Sequence, residues 1–135
     1  MTIKFKDNSI QVKELLKEKG ISFLTEASAE LLSQTQRNIK VDTGQTKGSF
    51  KKIIDESEMK AIVGSDYMNA IYEEFGTGVY ALEGDGRKTK WVYKDSNGDF
   101  HTTVGKKPKR ALYNAFTDKE DMIKTIAKNK FGGIK

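Results

Sequence analysis

The fold depends on the stretch Val41-Asp42-Thr43-Gly44-Gln45-Thr46-Lys47-Gly48-Ser49-Phe50, which separates a long helical pattern from a region of short strands and turns. Gly44 and Gly48 tolerate backbone angles that other residues resist. Asp42 and Thr43 can accept hydrogen bonds from nearby backbone amides, which suits a turn. These four residues therefore predict a structural hinge between helix and sheet.

Helical spacing of apolar residues precedes this hinge, and Asp7, Asn8 and Ser9 offer caps for the start of a helix. Gly20 interrupts the pattern and costs about 1 kcal/mol relative to alanine in a helix interior. We therefore expect a break there, with a longer helix over residues 21–39. A buried stripe along the whole helical pattern, on both sides of Gly20, is predicted to contain Leu15, Leu16, Phe23, Leu24, Ala27, Leu31 and Leu32.

Short strands are predicted after the hinge, over residues 50–54 and 59–63, because apolar and polar residues alternate there. The polar residues 55–58 between them suit a hairpin loop. Helical spacing then returns over residues 67–75, and Gly76 can end that helix. The residues that share one face of it are Tyr67, Ile71 and Phe75.

Asn97-Gly98 is the clearest turn signal, because the favoured two-residue hairpin turn needs positive φ at both central positions. It predicts a hairpin over residues 91–104. His101 then lies opposite Lys94 with no carboxylate placed to orient it, so it is an exposed hairpin residue rather than a catalytic base. The pairs predicted on the other side are Trp91 with Val104, Tyr93 with Thr102, and Asp95 with Phe100.

A basic run, Gly105-Lys106-Lys107-Pro108-Lys109-Arg110, precedes the last helical pattern, and Pro108 suits the first turn of that helix. The fold class predicted from these elements is α+β. A long N-terminal helix and a C-terminal helix pack on a small antiparallel β-sheet, and a β-hairpin extends from it. We expect a single domain over residues 1–135, with flexible ends at 1–8 and 130–135.

Composition limits the classes of function. The chain has 135 residues, of which 36% are hydrophobic and 32% charged, as in one soluble domain. It contains no cysteine and one histidine, so thiolate zinc sites are excluded and no metal or cofactor is expected. We predict no membrane segment and no signal peptide. The net charge of +5 permits contact with nucleic acid, although a solvated basic surface is the simpler explanation.

A catalytic interpretation of the hinge is also open. Asp42-Thr43-Gly44 matches the triplet of aspartic proteases, in which two aspartates share one proton. One triplet per chain would require a dimer, and the polar residues around this triplet fit a protease poorly. A structural turn is therefore the preferred interpretation, and an Asp42→Asn variant assayed on peptide substrates distinguishes the two.

Several motifs, taken in order, resemble the small head–tail joining proteins of long-tailed bacteriophages and prophages, also called tail-completion or neck proteins. The resemblance covers roughly residues 20–127. The family usually has an apolar residue after the proline of the last motif, where this chain has Lys109 and Arg110. The motifs are Val41-Asp42-Thr43-Gly44 with Gly48-Ser49-Phe50, then Val63-Gly64, then Tyr67 with Ala70-Ile71-Tyr72-Glu73-Glu74-Phe75-Gly76-Thr77-Gly78, then Lys107-Pro108 with Ala111-Leu112 and Ala115-Phe116.

The resemblance implies a structural role in the virion and no enzymatic activity. Such proteins form a ring, commonly a hexamer, between the head connector and the tail tube, and DNA passes through it without sequence specificity. The implied partners are other copies of the chain and the neighbouring connector and tail proteins. The implied location is the host cytoplasm during assembly and then the head–tail junction.

Two sets of residues are candidates for these contacts. A ring needs two different patches on each subunit. The predicted subunit-interface residues are Tyr67, Ile71, Tyr72, Phe75, Trp91, Tyr93 and Phe100; alternatively, the first helix face among them belongs to the core. The residues predicted to face DNA or an acidic partner are Lys106, Lys107, Lys109 and Arg110.

A basic nucleic-acid-binding module that stacks bases on Trp91 or Tyr93 is the alternative function. Binding by a lone monomer that weakens steeply with salt would favour it. We also expect the isolated chain to be mostly monomeric at low micromolar concentration, on the premise that it buries most of its apolar residues in its own core.

Overall fold

The structure, a computed structural model, describes residues 7–39 and 44–132. It confirms the α+β fold, with long N- and C-terminal helices and two antiparallel sheets of two strands each. The elements in chain order are α1 (Ser9–Asn38), α2 (Gln45–Ser49), β1 (Phe50–Asp55), β2 (Lys60–Ser65), α3 (Met68–Phe75), a short 3-10 helix (Gly78–Tyr80), β3 (Trp91–Lys94), β4 (Phe100–Thr103) and α4 (Ala111–Phe131).

Helices α1 and α4 pack antiparallel and form the main contact of the fold. At one end the rings of Phe23 and Phe131 lie 6.0 Å apart. At the other end Asn38 donates a hydrogen bond from Nδ2 to the Ala111 carbonyl, at 3.1 Å. Small side chains let the helices approach closely between these ends, since Ala115 is fully buried.

Gly20 does not break α1, which runs without interruption from Ser9 to Asn38. The expected break is therefore wrong. A Cβ at Gly20 would lie 2.9 Å from Met59 Sδ, in the turn between β1 and β2. Glycine is used here because the β1–β2 hairpin packs against the helix at this point, and that contact offsets its low helix propensity.

The hairpin β1–β2 follows the predicted alternation, with Phe50 opposite Ser65 and Ile53 opposite Ile62. Phe50 is buried against the helices, whereas Ile53 and Ile62 are exposed on the other face. The turn is closed by Asp55, whose carboxylate accepts hydrogen bonds from the Ser57 hydroxyl and the Glu58 amide. The two strands are confirmed, and they extend one to two residues beyond the predicted ends.

The hinge contains a short helix, α2, that the sequence did not predict. Gly44 precedes it with φ of 78°, so the expected left-handed glycine is found there. Gly48 lies inside α2 without a positive φ, and its predicted conformational role is wrong. Asp42 and Thr43 lie outside the described residues.

The first turns of α1 project beyond the body of the fold. Lys130 near the end of α4 pairs with Glu26 at 3.0 Å, and residues 9–18 of α1 are all exposed. We call residues 9–19 the N-terminal arm. Leu15 and Leu16 are 38% and 44% exposed there, so they were wrongly assigned to a buried stripe.

The premise that the chain buries most of its apolar residues is wrong as well. Among the described residues the buried apolar core consists of Ala27, Phe50, Ala70, Ala115 and Ile126.

The hairpin β3–β4 forms as predicted but in a different register. Tyr93 pairs with His101 and Lys94 with Phe100, one residue away from the predicted pairing. Asn97-Gly98 is not the two-residue turn, because the Gly98 amide donates to the Asp95 carbonyl and Gly98 itself has φ of 89°. This is a type I turn followed by a left-handed glycine, the three-residue hairpin loop.

Helix α4 begins later than predicted and ends later too. Arg110 has a left-handed backbone with φ of 57°, so helical geometry starts at Ala111 rather than near Pro108. At the far end Lys130 and Phe131 are helical, which corrects the expected flexible end for these two residues.

Candidate interaction surface

Helix α3 positions three of the predicted interface residues, Ile71, Tyr72 and Phe75. The Ser65 hydroxyl accepts a hydrogen bond from the Tyr67 amide at 3.0 Å just before the helix begins. Gly76, with φ of 78°, ends the helix and donates to the Tyr72 carbonyl. Ala70 and Glu74 lie on the buried face, at 3% and 9% exposure, and the opposite face is open to solvent.

Glu74 connects α3 to the start of α4. Its carboxylate oxygens accept hydrogen bonds from the backbone amides of Leu112 and Tyr113, each at 3.0 Å. A carboxylate is favoured at a helix N-terminus, where amides lack partners and the helix dipole is positive. Glu74 is therefore the cap that the α4 sequence itself does not supply.

Glu73, the neighbouring acid, holds the basic run in place. Its carboxylate lies 3.1 Å from Lys106 Nζ and 3.0 Å from Lys109 Nζ, and its carbonyl accepts from the Lys109 amide at 2.7 Å. Burial opposes the ionisation of Glu73, but hydrogen bonds and positive charge from the two lysines outweigh it, so its pKa is lowered.

Glycines let the backbone of residues 76–78 lie directly against residues 104–108. The Thr77 amide donates to the Lys106 carbonyl and the Val79 amide to the Val104 carbonyl, both at 3.0 Å. A Cβ at Gly78 would collide with the Val104 carbonyl, and one at Gly105 would collide with the Thr77 carbonyl. The Gly76-Thr77-Gly78 motif is therefore a backbone docking segment.

An open groove of about 740 Å³ lies between α3, the segment 76–87 and the inner face of β3–β4. Aromatic side chains and glycines line it, and we call it the aromatic groove. Its lining residues are Asn69, Tyr72, Gly76, Thr77, Gly78, Ala81, Asp85, Gly86, Arg87, Trp91, Tyr93, Thr103 and Lys106.

The structure thus brings three predicted interface residues together in one groove, namely Tyr72, Trp91 and Tyr93. Phe100 does not join them. It pairs with Lys94 on the opposite face of the hairpin and is 72% exposed. The prediction that it shares a side with Trp91 and Tyr93 is wrong, because the one-residue shift in register moves every side chain of β4 to the other face.

The outer face of α3 is exposed rather than part of the core. Ile71 is 42% exposed and Phe75 is 43% exposed, while Tyr67 is half-buried. The guanidinium of Arg110 lies 5.5 Å from the Phe75 ring and 4.5 Å from the Tyr113 ring. These contacts join the α3 face to the exposed side of α4.

Each residue of the basic run has a partner within the chain. Lys106 and Lys109 pair with Glu73. Lys107 Nζ lies 5.8 Å from the Tyr80 ring, and the Arg110 guanidinium lies against the rings of Phe75 and Tyr113. Their contact with DNA or an acidic neighbour stays a prediction. Any such partner would compete with Glu73 for two of the four cations.

His101 has a carboxylate partner, contrary to expectation. Its Nε2 lies 2.6 Å from Asp95 Oδ2, and its ring stacks on Tyr93 with centroids 5.3 Å apart. Asp95 also accepts from the amides of Asn97 and Asp99. The His101 hydrogen bond is the main reason that the pKa of Asp95 is lowered. The pair fastens the turn, since its contacts all lie within the hairpin.

A second, polar cleft of about 420 Å³ lies where the end of α1, α2, α3 and the hairpin turn meet. Both acidic and basic groups line it, including Lys47, Glu73 and Asp95. Over residues 7–39 and 44–132 no group of three or more histidine, aspartate or glutamate side chains is arranged to hold a metal ion. No helix in the same part of the chain is long and apolar enough to cross a membrane.

Comparison with protein-family models, with curated proteins and with solved structures finds no match for this chain.

The sequence predicted no role at this surface for Glu74, Asp95 or the three glycines that let the two backbone segments meet. We call Gly76, Gly78 and Gly105 the docking glycines. A signal for Glu74 was present, because it follows the small residue Ala70 by one helical turn and so shares its face.

Proposed function

We propose that this chain is a structural subunit of the head–tail junction of a long-tailed phage or prophage. In this proposal several copies form a ring, commonly a hexamer in such assemblies, between the connector and the tail, and DNA passes through the ring without sequence specificity. The chain is not an enzyme in this account. The order of the motifs from Val41 to Phe116, which resemble those of head–tail joining proteins, supports this proposal.

The observation that carries the proposal is the exposed apolar surface formed by α3 and the aromatic groove. Ile71, Tyr72 and Phe75 are 42%, 47% and 43% exposed on a helix of eight residues. Contiguous apolar surface of this kind marks a site of protein association. The motif residues around this surface hold the fold together and do not form a catalytic site in the proposal. Glu73 pairs with Lys106 and Lys109, and Glu74 caps α4. The docking glycines bring the segments before and after the hairpin together.

Protein association is favoured over the nucleic-acid module by the pairing of the basic run. Sequence-independent binding to DNA depends on cations that neutralise phosphates. Glu73 already neutralises part of the charge of Lys106 and Lys109.

A joining assay tests the proposed function. A phage that lacks this reading frame should accumulate separate heads and tails, and the wild-type chain supplied in trans should restore joined particles. A variant with Tyr72→Asp and Phe75→Asp should fail to restore them. Met122→Asp is the matched control, since Met122 is 43% exposed on α4 away from the α3 contact. Joined particles in the absence of the reading frame would rule the proposal out.

A further inference from the structure

Arg110 occupies a backbone position that suits glycine rather than arginine. Its φ of 57° and ψ of 37° are left-handed, and in the described part of the chain Met59, in the β1–β2 turn, is the other non-glycine residue with positive φ. A Cβ makes this conformation costly. Glu74, not the Arg110 side chain, supplies the acceptor for the first amides of α4. Glycine would adopt this backbone without strain, so the fold gives no reason for an arginine here.

The guanidinium of Arg110 lies between two aromatic rings and has no other partner in the part of the chain that the structure describes. It is 5.5 Å from the Phe75 ring and 4.5 Å from the Tyr113 ring, and both rings attract it. It donates no hydrogen bond and forms no ion pair over residues 7–39 and 44–132. Because the rings restrict its orientation, little further conformational entropy is lost when its planar set of N–H donors meets an acceptor.

The acidic residues nearest to Arg110 along the neighbouring elements have other roles. Glu73 pairs with two lysines, and Glu74 accepts hydrogen bonds from the amides of α4. Glu83 follows Leu82, whose amide donates to the Phe75 carbonyl, but it makes no ion pair with Arg110. The described part of the chain therefore offers no carboxylate partner to this guanidinium.

Apolar side chains surround Arg110 on the outer surface of α3 and α4. Ile71 lies one turn before Phe75, Phe116 lies one turn after Tyr113, and the four are between 42% and 55% exposed. A DNA backbone bound to Arg110 would leave these side chains in water, whereas a protein would cover them. Arginine and tyrosine within an apolar patch are also the residues that most often dominate the binding energy of a protein interface.

We infer that Arg110 binds the carboxylate of an acidic residue on a neighbouring junction protein other than this chain. The planar guanidinium donates two parallel hydrogen bonds to that carboxylate, and apolar residues beside the acid cover Ile71, Phe75, Tyr113 and Phe116. The net charge of +5 favours an acidic protein over a second copy as the partner at this surface. The inference rests on the proposed function and names the chemistry of its partner.

Arg110→Gly separates a binding role from a structural one. The variant removes the guanidinium but relieves the left-handed strain, so its urea midpoint should be no lower than that of the wild type. The binding probe is a mixture of separate heads and tails from a phage that lacks this reading frame. The concentration of purified chain that gives half-maximal joining should rise about tenfold or more for Arg110→Gly. Lys128→Ala, which removes the same charge at an exposed position of α4, is the matched control and should behave like the wild type.

Equal joining by Arg110→Gly and the wild type would overturn the inference and leave the proposed function standing. If the wild-type chain itself restores no joining, the proposed function fails and the inference fails with it. Duplex DNA should bind both proteins equally in fluorescence anisotropy, and weaker binding by Arg110→Gly would assign Arg110 to phosphate instead.

Charge reversal identifies which protein carries the acid. A phage with Arg110→Glu should fail to join heads to tails, because two carboxylates then face each other. A second change, from an acidic residue to lysine in another junction protein, should restore joining. Suppressors confined to this chain would place the acid on a second copy and overturn the inference.

Discussion

At the scale of single residues, alanine substitutions at Gly78 and Gly84 can be compared directly. Both have positive φ, 62° and 73°, but a Cβ at Gly78 would collide with the Val104 carbonyl, whereas nothing lies within 4 Å of one at Gly84. Gly84→Ala should cost about 1–2 kcal/mol for the left-handed backbone alone. Gly78→Ala should cost clearly more, because the Val104 backbone must move. Urea unfolding measures both, and equal losses would show that the close approach contributes nothing.

Glu74 allows a second prediction at this scale. Glu74→Ala leaves two amides at the start of α4 without their carboxylate acceptor, so the free energy of unfolding should fall by about 1–3 kcal/mol. Glu83→Ala is the control, because Glu83 is exposed and should change the free energy of unfolding by less than about 0.5 kcal/mol. Similar losses in the two variants would contradict the capping role of Glu74.

The hairpin β3–β4 should be more stable at neutral pH than at acid pH. The pKa of Asp95 is lowered in the folded state, chiefly by its hydrogen bond with His101. Its contribution is therefore fully present above the ordinary carboxylate range and is lost as pH falls through the lowered pKa. The NMR contact between the rings of Tyr93 and His101 should weaken over that acid range. Asp95→Asn should remove this dependence, and an unchanged acid transition in that variant would refute the prediction.

The hairpin also shows how far a sequence specifies an element. The strands and the turn region were predicted from alternation and from Asn97-Gly98. The register was not, because the Asp95 side chain binds two amides of the turn and favours a longer loop. The preference of Asn97-Gly98 for a two-residue turn competes here with the hydrogen bonds of the Asp95 carboxylate, which form only in the folded hairpin.

Helix α1 also shows that a local pattern cannot predict the effect of a distant contact. Its length follows from apolar spacing, but Gly20 was interpreted as a break because propensity alone assigns a cost to it. The contact with Met59 that reverses this interpretation comes from a hairpin that lies far along the chain. The exposed arm was missed for a related reason, since spacing identifies an apolar strip but not the element that covers it.

At the scale of the whole molecule, the interface could be predicted only in part. Tyr72, Trp91 and Tyr93 were predicted as interface residues because they lie in the two candidate patches, residues 67–75 and 91–104, and they do line one groove. Their grouping depends on the docking glycines, which hold the segment after α3 against the segment before α4. No local pattern specifies that approach, although the paired glycines of Gly76-Thr77-Gly78 indicate a close backbone contact.

The basic run gives a prediction about the assembled particle. Changing Lys106, Lys107, Lys109 and Arg110 to glutamate should reduce head–tail joining or DNA retention, because in the proposed ring these residues face the channel or an acidic neighbour. Since Glu73 would then repel two of the new carboxylates, a variant that also carries Glu73→Lys separates local destabilisation from lost contact. If the four-residue variant joins heads and retains DNA as the parent does, the run is a solvated surface.

Electron cryo-microscopy of the particle at its head–tail junction tests the central claim most directly. The account predicts a closed ring of several copies of this chain around the DNA channel. Density for the junction that accommodates every other neck protein and leaves no place for this chain would contradict the account.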